Sequence, residues 1–263
     1  MSSSGAVSYL ICTAPRTGST LLAEALSSTG RAGSPEEFFK GHESLDRLWR
    51  DAFGIERDAD YFDKVRSART GSNGVFGLKL HWPQGPALMA KLRASASFRP
   101  APPNASLHEL LTLKLGAAPR YIWLRRRNKL AQAISYMRAE RTQIWRSSDV
   151  PQGGRRADTD LQFDFESIVR YLRSVNGFDM EWACFFLAQR VSMLPITYEE
   201  LIASYEATVL RVLDFLEVPR DGVIVAPPAL RRQGDARSGE WECRFLKIAR
   251  ARGLDMPELF GSA

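Results

Sequence analysis

The chain has 263 residues, 44% of them hydrophobic and 25% charged, with a formal charge of +6. These values exclude a disordered or fibrous chain and predict one large globular domain spanning residues 1–263, with ample material for a core. The basic residues are not gathered into a tail, so the charge favours a small anionic ligand over nucleic acid or a membrane surface.

Three cysteines, Cys12, Cys184 and Cys243, are scattered and odd in number. That pattern offers neither a disulfide framework nor metal-ligand spacing, and it predicts reduced thiols with Cys12 and Cys184 in the core. The N-terminus lacks a basic n-region, its apolar run is too short for a secretory leader, and no segment approaches membrane-spanning length. A cytoplasmic protein is expected.

The first element is a short apolar strand, Val7 to Cys12, which meets Pro15-Arg16-Thr17-Gly18-Ser19-Thr20 and then a helix-periodic run from Leu21. Gly18 lets the backbone approach a ligand closely, Ser19 and Thr20 offer hydroxyls, and the free amides of the helix N-terminus converge on one spot suited to phosphate or sulfate. A Walker A loop is excluded, because Gly18 is followed by Ser19 rather than by Lys and Ser/Thr; the local cation is Arg16. An ordinary strand-to-helix turn with a hydroxyl cap is the competing reading.

Next comes a Gly/Pro loop with two acids and two aromatics, Gly33-Ser34-Pro35-Glu36-Glu37-Phe38-Phe39. Either its acids lie over the mouth of the anion site, or Ser34 and Pro35 start a helix whose first turn the acids complement. Residues 44–69 are expected to be helical, burying Leu45, Leu48, Trp49 and Phe53. Gly74 to Trp82 is a second strand stopped by Pro83, and on it Lys79 and His81 share a face at the C-terminal end, where open parallel sheets bind ligands.

Residues 84–119 are expected as a helical insertion around a Pro-rich break, with Ser106 as a cap. Tyr121 to Leu124 is a third strand, followed by Arg125-Arg126-Arg127-Asn128 and a helix from Lys129 to Arg141 that turns Leu130, Ala133, Ile134 and Met137 inward. Ser135 lies about two turns into that helix and shares a phosphate with Arg127 only if the turn between strand and helix is tight.

Residues 146–163 carry no apolar periodicity and are expected as a mobile loop over the acceptor. Asp164 is expected to cap a long helix, interrupted near Asn176-Gly177 and resumed through Trp182, Phe185 and Phe186. Met193 to Tyr198 is an edge-like fourth strand, Glu199 to Leu216 one further helix, and residues 230–241 a basic loop before a last helix. The alternation of strands and helices predicts a three-layer α/β fold around a central parallel sheet.

Several of these motifs together resemble a known family. Pro15 to Leu22 after a strand resembles the loop with which sulfotransferases bind the 5′-phosphosulfate of 3′-phosphoadenosine-5′-phosphosulfate (PAPS), and Arg127 with Ser135 is similar to their 3′-phosphate pair. Gly33 to Phe39, Phe76 to Trp82, Arg126 to Ser135 and Leu230-Arg231-Arg232-Gln233 resemble the bacterial trehalose-type sulfotransferases, related to those of rhizobial nodulation factors.

The resemblance implies a P-loop-like sulfotransferase fold, PAPS as co-substrate without a metal, and a carbohydrate or glycolipid acceptor, often in a homodimer. It implies that Pro15, Arg16, Thr17, Gly18, Ser19 and Thr20 hold the phosphosulfate and Arg127 and Ser135 the 3′-phosphate, while Arg231 and Gln233 close over the nucleotide. Lys79 and Arg16 meet the leaving-group charge. Glu37, the glutamate before the Phe pair, falls at the family's proposed general base. His81 stands two residues after a lysine, as the catalytic histidine of cytosolic sulfotransferases does, and is the alternative base. The enzymatic rival is a P-loop small-molecule kinase; the non-enzymatic rival is a PAPS-fold binding protein without turnover.

Overall fold

The structure is a computed structural model that describes residues 7–41, 43–95, 101–145, 161–228 and 236–254. Four strands, β1 (Ser8–Thr13), β2 (Phe76–His81), β3 (Arg120–Arg125) and β4 (Met193–Thr197), form one sheet in the order β2-β1-β3-β4, with every pairing parallel. Their near-continuous apolar runs suit strands covered on both faces, as parallel sheets require. Because all four run the same way, Thr13, His81, Arg125 and Thr197 end along one edge. The strand order reverses between β1 and β3, the position at which open α/β sheets hold ligands.

The two faces bury different sets. Leu10, Cys12, Phe76, Leu78, Leu80, Tyr121 and Trp123 pack with Phe38, Phe39 and the helices α3 (Asp58–Arg69), α4 (Gly85–Ala94) and α5 (Leu107–Leu115). Tyr9, Ile11, Ile122, Leu124 and Ile196 face α1 (Ser19–Ser28) and a later helix, residues 205–215. A third cluster joins α6 (Lys129–Thr142), the first half of α7 (Phe165–Gln189) and the helix over residues 236–251. The inward residues expected on α6 and α7 are the ones buried.

Caps explain several boundaries. Ser106 and Glu109 form a capping box at α5, with Ser106 N donating to Glu109 Oε2 at 2.7 Å. Asn128 and Asp164 cap α6 and α7 through Ala131 N and Ser167 N, at 2.9 and 3.0 Å.

Five expectations need correction. The stretch over residues 44–69 is two helices, α2 (Glu43–Phe53) and α3, parted at Gly54, whose φ of 58° is left-handed. On α2, Trp49 and Phe53 pack on the core, but Leu48 is 58% exposed. Cys184 is exposed, because it lies on the side of α7 opposite the sheet. The helix expected over residues 199–216 is divided at Ser204 into α8 (Tyr198–Ala203) and α9 (Tyr205–Phe215), with α10 (Ala236–Ala251) closing the described chain.

The last correction is that α7 runs unbroken through Asn176 and Gly177. Packing of Leu172 and Val175 on one side of the glycine and Trp182 on the other outweighs the roughly 1 kcal/mol helix penalty of a single Gly. Trp182 is fully buried and its Nε1 donates to the Thr13 carbonyl at 3.0 Å, tying the helix to the end of β1. No described helix is long and apolar enough to cross a membrane.

The continuous helix yields a simple test. Gly177 is exposed, and a β-carbon there meets no atom within 4 Å. Gly177→Ala is expected to stabilise the protein by about 0.5–1 kcal/mol in urea unfolding, whereas an interrupted helix would show no gain.

Candidate active site

The loop after β1 is held from beneath. Thr13 and Thr17 are fully buried, their hydroxyl oxygens 2.5 Å apart, and Thr17 Oγ1 donates to Ala14 O at 3.1 Å. Gln132 of α6, also fully buried, donates its amide to Pro15 O at 2.8 Å, and Arg126 reaches Arg16 O at 3.3 Å. Arg16 itself has φ 67°, a conformation uncommon for a non-glycine residue that the surrounding bonds must hold.

Gly18 sits at the N-cap of α1 with φ 81° and offers no side-chain cap, so the first amides of the helix stay open to an anion. A β-carbon at Gly18 would lie 2.7 Å from the Tyr198 ring, and the Arg126 guanidinium stands over that same ring at 4.8 Å. The glycine therefore serves both backbone shape and close approach.

At the end of β2, Lys79 is a buried cation with three partners. Its Nζ lies 2.9 Å from Glu37 Oε1, 3.3 Å from Glu36 Oε1 and 3.0 Å from Thr20 Oγ1. The last contact joins the carboxylates to the anion loop.

Residues 33–41 form no helix, which decides between the two readings of the acids. Phe38 and Phe39 are buried in the core, Tyr61 Oη donates to Phe38 O at 2.8 Å, and Lys79 N donates to Glu36 O at 3.1 Å. The aromatic anchors thus draw both carboxylates across the end of the strand. Gln84 Nε2 binds Glu37 Oε2 at 3.1 Å, Lys40 stands 3.6 Å from the same oxygen, and His81 Nε2 is 3.6 Å from Glu37 Oε1.

Burial pushes the Glu37 carboxyl up, but the charges of His81, Lys79 and Lys40 outweigh it and hold it well below the usual carboxylate range. Burial also pushes the His81 imidazole below its ordinary 6.5, with only Glu37 opposing. The imidazole is therefore neutral near pH 7, and the cations that keep Glu37 ionised at that pH are the two lysines. His81 Nε2 has no hydrogen-bond partner, nor have Trp123 Nε1, Arg125 Nε and Asp179 Oδ1 around the same edge.

Against known proteins, the model of the Stf0 sulphotransferase family matches residues 8–247. The chain belongs to that family. It is 28% identical over 94% of its length to trehalose 2-sulfotransferases of Mycobacterium tuberculosis and Mycolicibacterium smegmatis, covering 97% of each. Among solved structures it is similar to the sulfotransferase domain of the Synechococcus PCC 7002 olefin synthase (TM-score 0.42, 15% identity, 95% of each chain). It is also similar to that of the curacin biosynthetic pathway (TM-score 0.43, 13% identity, 95% of this chain and 98% of the other). This Stf0 sulphotransferase is therefore an enzyme of sulfuryl transfer, which sets aside the kinase and binding-protein readings.

In the Stf0 chain the expected residues fall into three groups. Pro15 to Thr20, Glu37, Lys79 and His81 converge at one edge. The turn between β3 and α6 is only three residues, yet Ser135 accepts from Arg16 Nε at 2.9 Å, whereas Arg127, 68% exposed, pairs with Glu199 at 3.7 Å. Arg231, Gln233 and most of the loop over 146–163 lie outside the described residues.

Sequence reasoning passed over Thr13, Lys40, Gln84, Gln132 and Tyr198. Their signal was position alone: Thr13 ends β1, Gln84 and Tyr198 follow β2 and β4, Lys40 shares the loop of Glu37, and Gln132 faces the anion loop from α6. Among the described residues no group of three His, Cys, Asp or Glu side chains could hold a metal ion.

Both shifted groups give stability the same sign with pH. The unfolded chain takes up protons on His81 near its ordinary 6.5, and on Glu37 near its ordinary 4.5, before the folded chain does. Stability is thus expected to be full near pH 7 and to fall as pH drops below 6.5, then further below 4.5. His108, which burial lowers likewise, shares the upper step. Urea unfolding between pH 7 and 5 should show a shallower slope in His81→Asn; an unchanged slope would mean that the imidazole is not held neutral.

Proposed function

We propose that the protein transfers the sulfuryl group of PAPS to a hydroxyl of a carbohydrate or glycolipid acceptor. The observation that carries this reading is the Lys79 ammonium, shared between Thr20 of the anion loop and the carboxylate of Glu37. One buried charge then touches both the donor side and the acceptor side. The relatives' named activity on trehalose makes that sugar the first acceptor to try.

In this reading the loop Pro15 to Thr20, with the open amides of α1, binds the 5′-phosphosulfate, and Arg127 and Ser135 bind the 3′-phosphate. Arg231 and Gln233 close over the nucleotide. The acceptor oxygen attacks sulfur, the bond from sulfur to the bridging phosphate oxygen breaks, and adenosine 3′,5′-bisphosphate leaves. By analogy with phosphoryl transfer the transition state is loose, so charge gathers on that bridging oxygen, and Lys79 and Arg16 meet it.

Glu37 takes the acceptor proton, being ionised at neutral pH and beside the lysine. A second reading rests on His81, whose neutral imidazole presents an Nε2 that has no hydrogen-bond partner.

Incubating labelled PAPS with trehalose and a panel of other sugars and glycolipids is expected to give a sulfated product. Glu37→Gln should then lower kcat/KM by roughly 10² to 10⁴, the usual worth of a positioned base. With Glu37 as base, His81→Asn keeps the pH profile of kcat/KM. With His81 as base, the acid limb of that profile disappears in His81→Asn. Arg127→Ala should weaken adenosine 3′,5′-bisphosphate roughly tenfold or more, from the loss of charge-assisted hydrogen bonds, and leave adenosine 5′-phosphosulfate unaffected, since Arg127 has no bond to the loop of Arg16, whereas Ser135 does. No transfer to any acceptor would overturn the proposal.

A further inference from the structure

A second charged pair occupies the same edge of the sheet on its other face. Helix α7 runs antiparallel to the strands: Phe186 meets Tyr121 near the start of β3, whereas Trp182 reaches Thr13 O at the end of β1. One further turn back along α7 carries Asp179 beyond the strand ends. Lys129, just past the end of β3, meets it there with Nζ 2.5 Å from Asp179 Oδ2.

Lys129 also donates to Gln132 at 3.3 Å, and Gln132 holds Pro15 O, so the pair stands directly behind the anion loop. Lys129 satisfies only one carboxylate oxygen. Asp179 Oδ1 is buried without a partner, and so are Arg125 Nε and Trp123 Nε1 beside it on this face, the Arg125 guanidinium lying 4.0 Å over the Trp123 ring. Half-buried Trp82, edge-on to Trp182 at 4.9 Å, adds an aromatic wall next to His81.

Buried polar atoms in native proteins nearly always find partners, and several orphans gathered around one edge indicate a place where a ligand supplies them. An aromatic surface with a few fixed polar groups suits a sugar, whose ring faces are apolar and whose hydroxyls both donate and accept. We propose that Asp179, oriented by Lys129, is an acceptor-recognition residue, its unpartnered carboxylate oxygen accepting a hydrogen bond from a sugar hydroxyl. This rests on the carbohydrate sulfotransferase reading above. It makes the α7 face of the sheet edge the acceptor subsite, with the nucleotide on the side of Gly18 and Tyr198.

The alternative role for Asp179 is that of a counter-ion to Lys129 and Arg125 only. The test is Asp179→Asn, measured by steady-state kinetics with trehalose or whichever panel sugar the wild-type chain sulfates, and by titration of adenosine 3′,5′-bisphosphate. The expected result is an acceptor KM raised roughly tenfold or more, as for a lost hydrogen bond to a charged group, with kcat nearly unchanged. Nucleotide affinity should stay at the wild-type value, which also reports an intact fold.

A second variant, Lys129→Gln with Asp179→Asn, removes both charges. The acceptor defect should persist in it. An unchanged acceptor KM, a loss confined to nucleotide binding, or an acceptor KM restored in the double variant would each overturn the assignment to Asp179. Absence of transfer by the wild-type chain would instead overturn the reading on which it rests.

Discussion

Everything at the C-terminal end of β2 depends on how a single buried ammonium is neutralised. Taking Lys79 out of water costs several kcal/mol, which only close opposite charge and filled hydrogen-bond directions can offset. Glu37, Glu36 and Thr20 do this from two separate segments. The cost of leaving the ammonium unpaired holds the loop before α1 and the loop before α2 in one arrangement. Electrostatics here positions chain.

The anion loop is fixed by a complementary set of neutral bonds. Thr13 and Thr17 bond one another, Gln132 ties down Pro15, and Trp182 takes the carbonyl of Thr13. Most of these partners come from α6 and α7, which also cover the core, so hydrophobic packing is what brings the polar anchors within reach. Preorganisation of this kind is what stabilisation of a developing negative charge demands, since donors already aimed at it need no rearrangement. Arg16 shows the same constraint in its backbone, held at a positive φ by bonds to its carbonyl and its guanidinium.

The two faces of the sheet edge carry different sets of side chains. Lys79 and His81 project with the residues that face α1, while Trp123, Arg125 and Trp182 belong to the opposite face. A strand's alternation of side chains separates the two sets by a single residue step. The site is thus a consequence of register: a slip of one residue in β2 would exchange Lys79 for an apolar neighbour.

The sequence by itself determined the elements whose signals are local. Apolar runs, caps at Ser106 and Asp164, and the Pro-Arg-Thr-Gly-Ser-Thr turn are legible because each depends on residues adjacent in the chain. Lys79 and His81 were legible as a pair for the same reason, standing on one strand. Tertiary structure alone decided that Glu36 and Glu37 lie over β2 instead of opening a helix, because Phe38 and Phe39 find their pockets in a core assembled from distant segments. It also decided that α7 crosses Gly177 unbroken, that Ser135 meets Arg16, and that Asp179 stands beside the anion loop. Each of these turns on energies between residues far apart in sequence, where packing and buried charge outweigh the local preferences that periodicity reads.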